Sequence, residues 1–121
     1  NMTLPDHIAH FLKNKPKNAI DLFANFYKCY SSFGQQEVEA TKTTLAFGTK
    51  KRYCYVYQFG KNFISCSLKL NELHENPAIF FKCGQLSKDS YVHHFRLYEK
   101  EDITPALKKY MKMALERNQA D

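Results

Sequence analysis

The chain has 121 residues and a formal net charge of +6, with 44% hydrophobic and 15% aromatic residues. This length suits one domain, and the composition can build a packed core, which excludes a disordered chain. No apolar run approaches the roughly 20 residues that a membrane span needs, and no signal peptide is recognisable. We therefore expect one cytoplasmic domain over residues 1–121 with no membrane partner; the oligomeric state stays open.

Two long segments show the three- and four-residue apolar spacing of amphipathic helices. Pro16 stands where proline suits a helix start and Gly34 is a natural stop, which predicts a helix over residues 16–33. A second long helix is predicted over about 104–117, and a short one over 7–12 precedes them both.

Between the long helices the apolar spacing changes to two, which indicates β-strands separated by glycines and short polar segments. The predicted strands cover residues 37–41, 43–47, 52–59, 63–70, 79–83 and 91–98. Strands joined by short turns pair antiparallel. The order predicts an α+β fold, a two-layer sandwich in which a sheet of about five to six antiparallel strands carries the N-terminal and C-terminal helices on one face.

Gly60 and Lys61 predict a two-residue hairpin turn, and this turn decides which side chains share a face. The predicted helix side holds Tyr53, Tyr55, Tyr57, Phe59, Ile64, Cys66, Leu68 and Leu70. The predicted uncovered side holds Arg52, Cys54, Val56, Gln58, Phe63, Ser65, Ser67 and Lys69. In the later strands the same alternation puts Ile79, Phe81, Cys83, Phe95 and Leu97 inside. It puts Lys82, His94 and Arg96 outside.

The positive charge is concentrated in the predicted sheet. Residues 42–98 contain nine basic residues and three acids, whereas basic and acidic residues balance in 1–41 and in 99–121. A basic uncovered face is typical of a surface that binds nucleic acid or another polyanion, and Phe63 and Phe80 are candidates to stack on bases. Two alternatives stay open: the lysines only keep an exposed face solvated, or the face binds an anionic protein partner.

The predicted binding residues come from this face and its turns. They are Lys42, Arg52, Phe63, Lys69, Lys82, His94 and Arg96.

No catalytic or metal-binding pattern stands out. The three acids of 42–98 fall in predicted loops, so no pair of carboxylates converges on a site. The four cysteines form no CxxC pair and are interpreted as free thiols. His93 and His94 are strand neighbours and point to opposite faces, which predicts His93 as a hydrogen-bonded inner residue. We expect a non-enzymatic binding module with no catalytic residue, metal or cofactor; the alternative is a small-molecule-binding or enzymatic domain with a pocket between sheet and helices.

Several segments together resemble a known family. They are Phe11 to Phe23 with Pro16-Lys17, Glu39-Ala40-Thr41-Lys42, Leu45-Ala46-Phe47, Arg52-Tyr53-Cys54, Leu68-Lys69-Leu70, Tyr91–Leu97 and Ile103–Leu115. The pattern is similar to that of small bacterial and archaeal domains of unknown function. The resemblance implies a domain found alone or C-terminal to nuclease-like regions, sometimes labelled a predicted transport protein, with a shape like that of the YjbR-like proteins suggested to bind DNA. It implies no catalytic residue; Lys42 is the matched polar position.

Overall fold

The computed structural model describes residues 3–119 and confirms the predicted α+β class, with a six-stranded antiparallel sheet. The helices are α1 (Asp6–Leu12), α2 (Lys17–Ser31) and α3 (Pro105–Gln119), with a short 3-10 turn at Lys100–Asp102. The strands are β1 (Val38–Ala40), β2 (Leu45–Phe47), β3 (Cys54–Phe59), β4 (Ile64–Leu70), β5 (Lys82–Ser87) and β6 (Ser90–Leu97). They lie in the order β1-β2-β3-β4-β6-β5. None of the helices in the described range is long and apolar enough to cross a membrane.

The three helices and one face of the sheet enclose a single core. The apolar sides of α2 and α3 pack on β4 because their buried residues recur at helical spacing. Phe47 lies at the centre of an aromatic cluster, with its ring centroid 5.1 Å from that of Tyr30 and 5.7 Å from that of Phe26. The buried Tyr30 hydroxyl donates to the carbonyl of Met111 at 2.6 Å, which joins α2 to α3. The helices therefore occupy one face and leave the other uncovered.

The predicted two-residue turn between β3 and β4 is wrong, and with it the predicted register along the whole of β3. The loop has four residues, since Phe59 pairs with Ile64 and the Gly60 amide donates to the Phe63 carbonyl at 2.8 Å. A bulge at Tyr57, between Val56 and Gln58, then shifts the pairing.

The bulge reverses the predicted faces of Cys54, Tyr55, Val56 and Tyr57, while Gln58 and Phe59 keep theirs. Cys54 and Val56 are fully buried in the core, while Tyr55 and Tyr57 lie on the uncovered side, where their hydroxyls reach polar partners. The predicted core residues of β4, including Cys66, are confirmed.

The strand predicted over 79–83 begins later, at Lys82, because the chain turns at Pro77–Ile79. Phe80 is buried against His93, so the prediction that Phe80 stacks on bases is wrong. Phe81 was predicted inside but is 49% exposed on the uncovered side. His93 is fully buried, as predicted.

Candidate nucleic-acid interface

The uncovered side of strands β3 to β6 carries a continuous set of aromatic and basic side chains, which we call the open face. Its members are Tyr55, Tyr57, Phe63, Ser65, Ser67, Lys69, Phe81, Lys82, His94, Arg96 and Tyr98. The two serines point outward and are nevertheless buried, because larger neighbours cover them. The open face is therefore a layer of large side chains on the sheet.

Arg96 is the best-positioned cation of the open face. Its guanidinium carbon lies 4.5 Å from the centroid of the Phe81 ring and 5.4 Å from that of Phe63. Its Nε donates to the Ser65 hydroxyl at 3.1 Å, and that hydroxyl donates to Gln58 at 2.8 Å. Arg96 is thus oriented by rings and neutral oxygens while keeping its full charge.

Two aromatic rings beside Arg96 remain accessible. Phe81 is 49% exposed and Tyr98 is 59% exposed, and the Tyr98 ring centroid lies 5.8 Å from that of Phe63. Exposed rings next to a guanidinium form the kind of surface on which a planar base stacks.

The centre of the open face is held by a pair of neutral groups. The Tyr57 hydroxyl oxygen lies 2.8 Å from Nδ1 of His94, a hydrogen bond, and the two rings meet edge to face. Burial lowers the pKa of His94, and the positive charge of Lys82 on the neighbouring strand acts in the same direction. Burial also raises the pKa of Tyr57. At neutral pH the charge of this region therefore comes from Lys82 and Arg96.

Lys69 marks the other end of the open face. Its ammonium lies 5.1 Å from the centroid of the Tyr55 ring and donates to the Tyr55 hydroxyl at 3.3 Å. On β4, Lys69 lies four residues after Ser65, the residue that pairs with Arg96, and this separation corresponds to about 13 Å along a strand. The described strands β3 to β6 contain no Asp or Glu, so this path is uninterrupted by negative charge.

The structure brings together five of the seven predicted binding residues, namely Phe63, Lys69, Lys82, His94 and Arg96. Arg52 lies at the margin, where its guanidinium is 3.8 Å from the carboxylate of Glu39. Lys42 lies in the exposed β1–β2 turn, away from this face. The sequence prediction missed Tyr55, Tyr57, Phe81 and Tyr98.

A cavity of about 330 Å³ opens at the Arg96 end, between Phe81, Tyr98 and the beginning of α3. Its one carboxylate, Asp102, accepts the amides of Tyr98 and Glu99 at 2.8 and 3.1 Å and so serves the 3-10 turn. Within residues 3–119, no group of three or more His, Cys, Asp and Glu side chains is arranged to hold a metal ion. The chemistry that this end offers is stacking and anion contact.

One family model, described as a domain of unknown function (DUF5655), matches residues 8–118. No curated protein and no solved structure matches the chain significantly.

Proposed function

We propose that this chain, which belongs to the DUF5655 family of unknown function, binds single-stranded nucleic acid on its open face without catalysing a reaction. The observation that carries the proposal is Arg96, a fully charged cation held against Phe63 and Phe81 on a sheet face that no helix covers. An aromatic ring offers stacking to any base, and an adjacent guanidinium offers contact to its phosphate.

A single strand fits this surface better than a duplex. The rings of Phe81 and Tyr98 lie on a sheet, and only an unstacked base can reach them. Within residues 3–119, no helix projects from the open face to enter a major groove, since α1, α2 and α3 pack on the other side. Four-stranded sheets that bind RNA stack two or three bases on such rings.

The charges explain the expected affinity and its salt dependence. Lys69, Lys82 and Arg96 are spread along the face, and each phosphate contact releases counterions from a single strand. We therefore expect weak, largely sequence-independent binding that falls steeply as salt rises.

Fluorescence anisotropy with labelled single-stranded and double-stranded oligonucleotides, starting at about 20 mM salt, tests this proposal. The triple variant Lys69→Gln, Lys82→Gln, Arg96→Gln should lower the slope of log K against log salt by about 2, at about 0.7 for each lost contact. The matched control neutralises Lys108, Lys109 and Lys112, which are exposed on α3, and should leave the slope close to that of the unmodified protein.

A second variant separates stacking from charge. Phe81→Ala with Tyr98→Ala removes the two accessible rings and should weaken binding at fixed salt by about 5- to 150-fold for each base that loses its ring. Because Phe63 and Ser65 still hold Arg96, the salt slope should stay nearly unchanged. The absence of binding at about 20 mM salt, or an equal loss of affinity in the open-face triple variant and in the α3 control triple variant, would contradict the proposal. A protein partner, or a small ligand in the cavity beside Arg96, would then account for the surface better.

A further inference from the structure

A second concavity, of about 360 Å³, adjoins the Lys69 end of the open face, and we call it the basic pocket. Its walls come from four separate parts of the chain and consist of Lys50, Lys51, Arg52, Tyr55, Lys69, Ser90, Arg117 and Asn118. Five of these eight side chains are cationic and none of them is acidic. Cations converging at this density repel one another, and an anion bound among them would relieve that repulsion.

Two cations of the basic pocket, Arg117 and Lys69, are oriented by neutral groups, whereas the guanidinium of Arg52 lies 3.8 Å from the carboxylate of Glu39. Arg117 donates from Nε to the side-chain oxygen of Asn71 and from Nη2 to the carbonyl of Asp89 at 2.9 Å. Lys69 is held by the ring and hydroxyl of Tyr55. Neutral acceptors fix the position of a cation without cancelling its charge, so both side chains remain able to bind an anion.

The backbone before β3 sets the opposite wall. Gly48 has a φ of +97°, and a Cβ at this position would collide with the carbonyl oxygen of Lys51. The chain therefore folds tightly back on itself between β2 and β3, and the Tyr53 amide donates to the Phe47 carbonyl at 3.0 Å. This turn places Lys50 and Arg52 together at the pocket.

We propose that the basic pocket binds a phosphate monoester, and that its source is the terminal phosphate of the nucleic-acid strand on the open face. This inference rests on the proposed function. A phosphate inside a strand carries one negative charge, whereas a phosphate monoester carries about −1.5 to −2 at pH 7 and offers three oxygens to several donors. Tyr55 and Lys69 belong to both the pocket and the open face, so a strand ending in the pocket continues directly over the sheet.

The test compares one oligonucleotide of about ten nucleotides in three forms, with a 5′-phosphate, with a 3′-phosphate, and with hydroxyls at both ends. One phosphorylated form should bind at least about tenfold more tightly than the hydroxyl form. The double variant Lys50→Gln, Arg117→Gln should abolish that preference, because it removes two cations of the pocket that are not part of the open face. Lys108→Gln with Lys112→Gln, which removes the same charge from α3, should retain the preference.

Two further measurements keep the outcomes distinct. The single variant Lys50→Gln, at an exposed turn, should reduce the preference even where the double variant does not fold. Titration with adenosine monophosphate, followed by NMR, tests the pocket without a strand. Equal binding of all three oligonucleotide forms would overturn the terminal-phosphate inference and leave the proposed function standing. Binding of adenosine monophosphate that Lys50→Gln weakens, with no binding of any oligonucleotide, would support the phosphate monoester as ligand and overturn the proposed function. Binding of neither probe would overturn both.

Discussion

The bond between Tyr30 and Met111 gives the sharpest prediction about stability. Tyr30 is fully buried on α2, and its hydroxyl donates to a carbonyl in the middle of α3 at 2.6 Å. Burial raises the pKa of Tyr30 well above its usual value, so the hydroxyl stays protonated and remains a donor. Tyr30→Phe keeps the ring that packs on Phe47 and removes only this donor.

The expected loss of stability in Tyr30→Phe depends on which hydrogen-bonding groups stay without a partner after the substitution. A hydrogen bond contributes about 0.5–1.5 kcal/mol net, and a buried group left without a partner adds to the loss. The Met111 carbonyl keeps its acceptor role within the helix, so the added loss is small. We expect the free energy of unfolding to fall by about 1–2 kcal/mol, which shifts the urea midpoint by about 0.5–1 M at an unchanged slope.

Urea unfolding followed by circular dichroism measures this shift. The same variant should bind oligonucleotides as the unmodified protein does, because the hydroxyl lies on the far side of the sheet from the open face. A loss below about 0.3 kcal/mol, or a changed unfolding slope, would refute the claim that this bond joins α2 to α3.

Two predictions concern buried titratable groups. His93 accepts the His74 amide on Nε2, and its Nδ1 lies 3.1 Å from the Tyr91 carbonyl, so the neutral ring satisfies both nitrogens. Burial lowers the pKa of His93 below 6.5, so on acidification the unfolded chain binds a proton at this histidine before the folded chain does. The free energy of unfolding should therefore reach its highest value above about pH 6.5 and fall as the pH is lowered, and it should fall less in His93→Gln. Urea titrations at pH 7.5 and 5.5 measure this difference. A variant with an unchanged pH dependence would contradict this. Burial raises the pKa of the Cys54 and Cys66 thiols, so a thiol reagent should leave both unmodified in the native protein and find four free thiols after denaturation without reductant; finding two would mean a disulfide.

The helices and β4 could be predicted because their apolar spacing is uninterrupted. The helix predicted over 16–33 forms as Lys17–Ser31, and β4 buries alternate residues on the predicted side. In β3 the alternation is broken by one extra residue at Tyr57, and this bulge reverses the faces of Cys54, Tyr55 and Val56. Cys54 therefore moved from the predicted uncovered side into the core, on the same face as Cys66. Tyr53, just before the strand, is buried as predicted.

The charged part of the candidate site could be predicted, whereas its aromatic part could not. Lys69 and Arg96 lie on β4 and β6, where the period of two holds. Phe80 and Phe81 are adjacent aromatics at a turn, and their order in the sequence does not decide which one enters the core. The basic pocket was missed because Arg117 comes to line the same pocket as Lys69 only through the packing of α3 beside the sheet.

An NMR titration of the isotope-labelled protein with a single-stranded oligonucleotide tests the central claim most directly. If the open face binds the strand, a strand with hydroxyls at both ends should shift amide and side-chain signals of β4, β6, Phe63 and Phe81, while the exposed surface of α2 and the residues Lys108, Lys109 and Lys112 of α3 should keep their signals. Shifts concentrated on the helices, or no shifts at about 20 mM salt with excess oligonucleotide, would contradict it.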